Sequence, residues 1–579
     1  MNRIPLICVT CLFVLLAFCS EPPAPEVTLA DTLQAEIPGL MEAAEVPGLS
    51  IAVVREGKIY WSGAFGVRSA ETGEPMDEET IFEAASLTKT ITAVAALKLV
   101  ESGELELDTP LAEYLPYPKL AGDERYKKIT ARLVLTHTTG LPNWGTRLVR
   151  EPGERYGYSG EGFLYLGKTI EKITGKDLDA FARLAIFEPL GMTRTSYVET
   201  AEYKANGACG HDRHGVAIGL RENPSPNGGA SLITTPTDYA RYLCALMNDT
   251  VLDPETIREM LSPHVRATEF DGSEPDEHVS WGWGWGIHPG TEENSFFHWG
   301  NNGELRGFTV AYKNKGEGLV FFSNSENAFA LADPLVALIT DEPQYGMQWL
   351  EFEEQRFDNP QRNAHRSVEK AFLDLGVEAG VRRLAEVQEL FPDLMDAEAM
   401  GWTAGYLVNR GKTAEAAALF THMLDLEPKR IQAWEGLGLV EMEQGNFPDA
   451  IQAFEKALEI QSNRRMAKNA VPWIRQLIAA EGKSVEVPLS RLESYAGEYG
   501  PRHITLREGS LFYQRAGRPE YRLRPLTQDT FILEGYLRFR VRFVSDSGGS
   551  VTKIKGLYIE GRMDETARTG EGPRCRPPA

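Results

Sequence analysis

The sequence predicts a multidomain protein: an α/β (α+β) domain with an antiparallel sheet flanked by helices and a helical lobe, then α-helical repeats, then a small all-β domain. Three features predict this order. Alternating apolar strands occur near both ends of residues 28–345, with helical patterns between them. A 34-residue period marks the helical residues 346–483, and short alternating strands fill residues 484–579. Residues 1–27 are predicted to be a signal peptide and spacer.

Composition limits the classes of function. The chain is 42% hydrophobic and 25% charged, which is typical of a globular soluble protein. Its formal net charge of -23 argues against a nucleic-acid partner, because phosphate binding relies on clustered Lys and Arg. The sequence contains no Gly-rich phosphate-binding loop followed by Lys-Ser or Lys-Thr, and we expect no cofactor.

The N-terminus has the pattern of a secretory signal. Arg3 precedes an apolar run over residues 4–18 that is too short to span a bilayer comfortably. The four residues ending in Cys19 approach the lipobox of bacterial lipoproteins, so a lipid on Cys19 would attach the protein to a membrane. The other interpretation is an ordinary signal peptide cleaved before the Pro-rich residues 21–25. Either way we expect an exported protein of the bacterial cell envelope, periplasmic or membrane-anchored.

Few cysteines remain outside this segment. Of the six in the chain, the body keeps Cys209, Cys244 and Cys575. They predict no disulfide framework, and the chain is long enough to build a core without one.

Apolar periodicity predicts the elements of the first domain. Residues 28–44 have the pattern of an amphipathic helix with a candidate break at Pro38-Gly39. Alternating residues 49–54 and 59–65 flank a turn and predict a hairpin. Further helices are predicted after Ser86 and near residues 129–136, 162–174, 237–247 and 330–339, and antiparallel strands near residues 281–286, 296–300, 308–312 and 319–322.

Ser86 and Lys89 are a candidate nucleophile and base at the start of a helix. At a spacing of three they share a helix face, so a neutral lysine amine can take the proton of the serine hydroxyl. Lysine serves only if burial or a nearby positive charge lowers its pKa. The pattern is weak alone, because about two such pairs arise by chance in a chain of this size. The other interpretation of Ser86 is a helix N-cap beside a solvated lysine.

Several further motifs follow Ser86 in a definite order. The set is Ser86-Leu87-Thr88-Lys89, residues 133–142 (LVLTHTTGLP), Pro152-Gly153 with Tyr158-Ser159, residues 189–192 (PLGM), Gly228-Gly229 and His298-Trp299-Gly300. Their order resembles one family, the serine hydrolases that include class C β-lactamases, D-alanyl-D-alanine carboxypeptidases of that type and related esterases. The resemblance covers roughly residues 30–339.

The resemblance implies roles for individual residues. Ser86 is similar to the acylated nucleophile and Lys89 to its activating partner, while Tyr158 matches the tyrosine of the second motif. His298 opens the third motif. A phenol beside lysine can pass a proton from the serine to a leaving group and then deprotonate the deacylating water, which agrees with those roles.

The resemblance also implies how substrate is held. The backbone N–H groups of Ser86 and Asn301 would form an oxyanion hole, and Gly300 leaves room for that approach. Arg306 is a candidate partner for a substrate carboxylate, with a solvated surface arginine as the other interpretation.

The sequence departs from the family pattern at two positions. Gly160 stands where an asparagine usually follows the tyrosine, so an amide that binds substrate and orients the lysine is missing; Glu161 or Asn143 are candidate substitutes. His298 stands where many β-lactamases carry lysine, which resembles the esterase and peptidase branches. Antibiotic hydrolysis is therefore less favoured than ester or amide hydrolysis.

Two other features have ordinary structural interpretations beside functional ones. His211 and His214 form an His-x-x-His pair without a downstream ligand motif, so we interpret them as turn histidines and expect no metal site. Tryptophans alternate with glycine at positions 281, 283 and 285, which predicts a ladder of indoles on one strand face. That ladder either lines a substrate pocket or packs in the core.

The rest of the chain predicts a partner-binding region and a β module. Gly411, Ala416 and Phe420 recur 34 positions later, which is the period and pattern of tetratricopeptide repeats. Helices near residues 368–390 and 466–480 would complete the stack, and a protein or peptide is the expected partner there. Residues 492–499 resemble the start of C-terminal modules often attached to this hydrolase family.

Together these features predict a serine hydrolase that forms a covalent acyl-enzyme with a small-molecule or peptide substrate: an ester, an amide such as a D-amino-acid peptide, or a β-lactam. The alternative is a non-catalytic penicillin-binding-like sensor or scaffold that binds a peptide or protein partner with its repeat helices. Gly160 motivates that alternative.

Replacing Ser86 separates the two hypotheses. We expect Ser86→Ala to abolish turnover and Lys89→Ala to retain only a small fraction of the wild-type activity, because the nucleophile and the base act as a unit. The matched control is Ser550→Ala, which removes the serine of another Ser-x-x-Lys sequence. Turnover of a nitrophenyl ester by the three variants is the measurement, and equal activity in Ser86→Ala and Ser550→Ala would contradict the assignment.

Overall fold

The fold is described from a computed structural model, for residues 27–221, 225–268, 275–481, 485–515 and 519–569. The signal segment, Cys19 and Cys575 lie outside the described residues, so export and lipidation remain predictions. In the described part of the chain, no helix is long and apolar enough to cross a membrane.

An antiparallel sheet organises the first domain, as the sequence predicts, and in the described residues it has nine strands. The strands of this domain are β1 (Gly48–Arg55), β2 (Lys58–Ser69), β3 (Glu74–Pro75), β4 (Phe82–Glu83), β5 (Gly210–His211), β6 (Ala217–Gly219), β7 (Ile233–Thr234), β8 (Val265–Thr268), β9 (Pro275–Trp281), β10 (Gly286–Pro289), β11 (Asn294–Asn301), β12 (Arg306–Tyr312) and β13 (Glu317–Ser323). The sheet order is β3-β2-β1-β13-β12-β11-β10-β9-β8, and β4 pairs with β7 and β5 with β6. The N-terminal and C-terminal strands therefore meet at β1 and β13.

Helices cover both faces of this sheet. They are α1 (Leu29–Ala44), α2 (Thr88–Glu101), α3 (Leu111–Tyr114), α4 (Ala131–Leu135), α5 (Gly160–Thr174), α6 (Leu178–Ala182), α7 (Glu188–Leu190), α8 (Ala201–Asn206), α9 (Pro236–Met247), α10 (Pro254–Met260), α11 (Ala332–Ala337), α12 (Tyr345–Trp349) and α13 (Phe352–Gln355). Alternate residues of β1 enter separate cores: Ala52 and Val54 join the core with α2, while Ile51 and Val53 join the core with α1.

The structure corrects two local expectations. Helix α1 runs unbroken through Pro38, because its apolar face, including Ile37 and Met41, stays buried and offsets the cost of proline in a helix. The tryptophans form no ladder: Trp281 ends β9, and a turn with Gly284 at φ +84° follows it. Trp281 therefore packs in the core with α1, whereas Trp283 and Trp285 pack in the core with α2.

The start of α2 lies against the end of β11, and a glycine permits this contact. A 3₁₀ turn over Ala85–Leu87 leads directly into α2 and contains Ser86, with Ala85 at φ +47°. A Cβ on Gly300 would lie 2.3 Å from the carbonyl oxygen of Ala84, which is shorter than any side chain tolerates. The sheet can therefore approach the Ser86 turn only with glycine at this position.

The helical region consists of antiparallel helix pairs. Its helices are α14 (Pro360–Lys370), α15 (Val377–Leu390), α16 (Ala397–Asn409), α17 (Thr413–Leu426), α18 (Ile431–Glu443), α19 (Phe447–Ile460) and α20 (Arg465–Ala480). Helices α18 and α19 begin 34 residues after α16 and α17, which agrees with the period seen in the sequence. The region rests on the first domain through Glu369, which accepts hydrogen bonds from Arg213 (2.6 Å) and His214 (3.2 Å).

His211 and His214 have structural contacts. His211 receives the backbone N–H of Ala70 on Nε2 at 2.9 Å and donates from Nδ1 to the carbonyl of Asn324 at 2.9 Å. His214 contacts Glu369 of α14. No group of three or more His, Cys, Asp and Glu side chains within the described ranges is arranged to hold a metal ion.

Eight antiparallel strands follow the short helix α21 (Leu489–Tyr495). They are β14 (Gly497–Tyr499), β15 (Arg502–Arg507), β16 (Ser510–Arg515), β17 (Tyr521–Pro525), β18 (Thr530–Leu533), β19 (Tyr536–Ser545), β20 (Val551–Tyr558) and β21 (Met563–Ala567). Each strand pairs with the next along the chain. The N–H of Thr569 donates to the carbonyl of Glu498 at 2.8 Å, which joins the two ends of the meander in a barrel-like unit.

A methyl group at position 300 tests the contact between β11 and the Ser86 turn. We expect Gly300→Ala to destabilise the first domain by about 1–3 kcal/mol, because overpacking forces the backbone apart. The control is Gly405→Ala in α16, where nothing lies within 4 Å of the position of a Cβ. Calorimetric unfolding of both variants is the measurement, and equal transition temperatures would contradict the close approach.

Candidate active site

Ser86 and Lys89 form the centre of the candidate site. The Nζ atom of Lys89 lies 2.9 Å from Ser86 Oγ and donates to the backbone carbonyl of Gly229 at 2.7 Å. Lys89 is fully buried, because α2 is enclosed on all sides within the core. The serine hydroxyl and the lysine amine are therefore within direct proton-transfer distance.

Burial changes the acidity of the lysine. It lowers the pKa of Lys89 to about 7, because the protein interior penalises the ammonium form. Neither oxygen that contacts the amine belongs to a carboxylate, so nothing in this pair of contacts restores the charge. Near neutral pH a large fraction of Lys89 is a free amine that can accept the proton of Ser86.

Tyr158 lies over the same pair. It precedes α5, whose N-cap is Ser159, and its ring centre is 4.9 Å from the Nζ atom of Lys89. Burial raises the pKa of the Tyr158 phenol, and the nearby Ser86 hydroxyl lowers it to a smaller extent. The hydroxyl has no well-aligned hydrogen-bond partner among the described residues. Tyr158 is therefore a neutral phenol at physiological pH, suited to donating a proton.

His298 contributes a neutral imidazole. Its Nδ1–H donates to the carbonyl of Trp299 at 2.8 Å, which leaves Nε2 as an acceptor, buried and without a partner among the described residues. Burial and the charge of Lys89 lower the pKa of His298 to about 3, although the backbone hydrogen bond opposes this. The histidine is therefore uncharged even in mildly acidic solution.

His137 supports Tyr158 from below, and sequence reasoning assigned it no role. Its ring stacks on Tyr158 with centres 4.4 Å apart, and its Nδ1 accepts the N–H of Ser159 at 2.9 Å. Burial, with smaller contributions from the neighbouring Lys89 and His298 side chains, lowers its pKa well below the usual value, so the ring is neutral. Two features of the sequence could have identified His137: its place in the motif at residues 133–142, and Gly140 three positions later.

The end of β11 is fixed to the segment before Ser86. Besides the close contact at Gly300, the side-chain amide of Asn302 donates to Glu83 at 2.7 Å. Burial raises the pKa of the Glu83 carboxyl, and Asn302 opposes that shift. Asn301 itself is an exposed residue whose side chain accepts the N–H of Gly303 at 2.9 Å. The predicted oxyanion donors, the N–H groups of Ser86 and Asn301, belong to these adjoining segments.

Arg306 points away from the nucleophile. It is the cross-strand partner of Asn301, so both side chains lie on the face of the sheet opposite to His298 and Gly300. Its guanidinium lies 4.8 Å from the ring of Phe329 and donates to the carbonyl of Gly303 at 3.1 Å. Burial lowers its pKa to about 10. The structure brings Arg306 neither to Ser86 nor into bulk solvent, which are the two placements that sequence reasoning weighed.

Neither candidate substitute for the missing asparagine takes its place. The side chain of Asn143 accepts the N–H of Gly160 at 3.0 Å, and its carbonyl accepts the N–H of Glu161 at 2.8 Å. Asn143 thus satisfies the start of α5, and Glu161 has a buried carboxylate oxygen without a partner in the described ranges. The carbonyl of Gly229 supplies the second contact to Lys89, and the indole of Trp144 covers Gly160.

Comparison with known proteins identifies a family and several similar proteins. The Beta-lactamase family profile matches residues 33–341, and a tetratricopeptide repeat profile matches residues 403–465. Esterase EstB of Burkholderia gladioli is 30% identical over 290 residues, which cover 40% of this chain and 74% of the esterase. Protein flp of Staphylococcus aureus (strain N315) is 23% identical over 336 residues, 53% of this chain and 65% of its own length.

Solved structures are similar as well. D-alanine carboxypeptidase AmpC from Burkholderia cenocepacia aligns with a TM-score of 0.45 and 23% identity, over 51% of this chain and 94% of that chain. The octameric penicillin-binding protein homologue from Pyrococcus abyssi aligns with a TM-score of 0.45 and 18% identity, over 92% of this chain and 99% of that chain.

The family assignment rests on the profile and on the esterase. The profile spans more than half of the chain, and it contains the Ser86, Tyr158 and His298 positions. The esterase reaches 30% identity over 74% of its length. The chain therefore belongs to the Beta-lactamase family, with tetratricopeptide repeats in its helical region.

Proposed function

We propose that this protein is a serine hydrolase that cleaves carboxylic esters through a covalent acyl-enzyme on Ser86. One observation carries the proposal: a buried Lys89 amine, with its pKa lowered to about 7, lies 2.9 Å from the serine hydroxyl. A lysine in that state is a base matched to the working pH, and it lies within reach of the proton it must remove.

Acylation follows from this geometry. Ser86 Oγ attacks the ester carbonyl carbon while its proton passes to the Lys89 amine, and negative charge develops on the carbonyl oxygen. The N–H groups of Ser86 and Asn301 would stabilise that oxygen. As the intermediate collapses, the ester C–O bond breaks and the alkoxide takes a proton from the Tyr158 phenol. The ammonium of Lys89 then returns a proton to the phenolate.

Deacylation uses the same groups with water as the nucleophile. Water gives a proton to the Lys89 and Tyr158 pair and attacks the acyl carbon of the Ser86 ester. Collapse of the second intermediate breaks the bond to Ser86 Oγ, which regains its proton, and the carboxylic acid leaves. His298 is neutral, and its buried Nε2, which has no partner among the described residues, can accept a hydrogen bond. It therefore orients water or substrate without acting as a fixed charge.

Charge supports an ester over a β-lactam or a D-amino-acid peptide, whose carboxylates call for a cation. His298 is uncharged above a pKa of about 3, and Arg306 lies on the opposite face of the sheet. His298 stands where many β-lactamases carry a lysine cation, and Arg306 was the candidate cation that the sequence offered in its place. The similarity to an esterase also supports this choice.

The sensor or scaffold hypothesis is the second candidate. It is supported by Trp402 of α16, whose side chain is 71% exposed in the repeat region and could contact a protein or peptide. A repeat-bound partner is compatible with catalysis, so only the non-catalytic form of this hypothesis competes with ester hydrolysis.

A substrate panel tests the proposed reaction. We expect a short-chain nitrophenyl ester to be turned over well above the Ser86→Ala background, and a chromogenic cephalosporin and a D-alanyl-D-alanine peptide to react much more slowly. Initial rates at equal enzyme concentration are the measurement. Turnover of the peptide or the cephalosporin above that of the ester would reassign the substrate, and no turnover of any of them would favour the non-catalytic scaffold.

The pH profile tests the role of Lys89. Because the amine reacts only when deprotonated, kcat/KM should rise with pH through an apparent pKa of about 7. His298→Lys places a second ammonium beside Lys89 and should move this limb to lower pH, because like charge disfavours protonation. His298→Gln is the neutral control and should leave the limb near 7. An unmoved limb in His298→Lys would assign the titration to another group.

A further inference from the structure

The indole of Trp144 is seated on two glycines from separate segments. A Cβ on Gly160, at the start of α5, would lie 2.8 Å from the ring atoms Cη2 and Cζ2 of Trp144. A Cβ on Gly229, in the loop before β7, would lie 3.2 Å from Cη2. Any side chain at Gly160 would displace the indole. The two glycines therefore form a flat backbone surface that the six-membered ring of Trp144 covers.

The indole lies beside the reacting centre and is partly exposed to solvent. Trp144 is 49% exposed although one side of its ring is packed. The ring centre lies 5.9 Å from Lys89 Nζ, the atom that is 2.9 Å from Ser86 Oγ. A large aromatic surface that stays half in water beside a nucleophile is available to cover an apolar group of the substrate.

The position of the indole changes what the site can recognise. The family pattern has an asparagine at position 160, whose amide would hydrogen-bond a polar substrate, and here backbone and indole occupy that volume. The lysine contact of such an amide is supplied by the carbonyl of Gly229. The indole therefore presents apolar surface on this side, and the Oδ1 atom of Asn143 is already bound to the N–H of Gly160.

We propose that Trp144 is a specificity-determining residue that binds the acyl group of the ester, and that the substrates are esters of apolar carboxylic acids longer than acetate. The proposal rests on the proposed function. The acyl group is the occupant because it stays bonded to Ser86 through both half-reactions, close to the surface formed by Trp144 and Gly229. The alcohol leaves toward the Tyr158 hydroxyl that protonates it.

The first test compares p-nitrophenyl hexanoate with p-nitrophenyl acetate. In the wild-type protein the hexanoate should have the higher kcat/KM, and Trp144→Ala should lower the hexanoate to acetate ratio about tenfold, which is the scale of apolar discrimination in enzyme pockets. Trp144→Phe should keep most of the wild-type hexanoate to acetate ratio, because it retains an aromatic ring. The control is Met563→Ala, which shortens an exposed apolar side chain in β21 of the last domain and should leave the ratio unchanged.

The second test uses Gly160→Asn, because the new asparagine side chain would overlap the space that the Trp144 indole occupies. Alone, it should displace Trp144 and lower the ratio as Trp144→Ala does; combined with Trp144→Ala, it should lower the ratio no further, because both changes remove one contact. A wild-type ratio in Trp144→Ala, or independent effects of the two changes, would overturn the proposal. Failure of the proposed function is distinct, because the wild-type protein would then hydrolyse neither ester above the Ser86→Ala background.

Discussion

The burial of one lysine amine is the constraint on which the site depends. Lys89 has no exposed surface, and its amine contacts only the Ser86 hydroxyl and the Gly229 carbonyl among the hydrogen bonds of the described structure. Burying an ammonium without a carboxylate partner costs free energy. That cost lowers the pKa of Lys89 to about 7, so the neutral amine is populated near neutral pH. Because burial penalises the ammonium form, it makes the lysine side chain a base near neutral pH.

The rest of the first domain keeps that amine dry and its neighbours in place. Helix α2 lies within the core, β11 reaches the Ser86 turn through Gly300, and Asn302 attaches the end of β11 to Glu83. His137 supports the ring of Tyr158 and is itself held by the N–H of Ser159. Protons thus move between Ser86, Lys89 and Tyr158, while His137 and His298 stay neutral beside them.

Much of this could be predicted from sequence, because order and spacing carry it. Ser86, Lys89, Tyr158 and His298 appear in the family order, and the structure gathers them at one site. The 34-residue period predicted the helix pairs for the same reason: each repeat must place its apolar residues at the same positions. Alternation likewise predicted the strands of the first and last domains.

The features that the sequence did not predict depend on which face of an element a side chain lies on and on how deeply it is buried. The strand face of Arg306, the protonation state of His298 and the division of the tryptophans between two cores follow from which neighbours surround each side chain. Trp144 lies 16 positions from Gly160 in the sequence. No local sequence pattern therefore predicts that its indole covers Gly160, where the family has an asparagine. The pattern located the absence at Gly160, and only the fold shows what fills it.

The central claim is that the buried amine of Lys89 activates Ser86, and localisation of a covalent adduct tests it most directly. The folded protein would be treated with a fluorophosphonate at several pH values, then digested and mapped by mass spectrometry. The account predicts a single adduct on Ser86 that forms faster as the pH rises through about 7. An adduct on another residue, or no adduct in folded protein at any of these pH values, would contradict it.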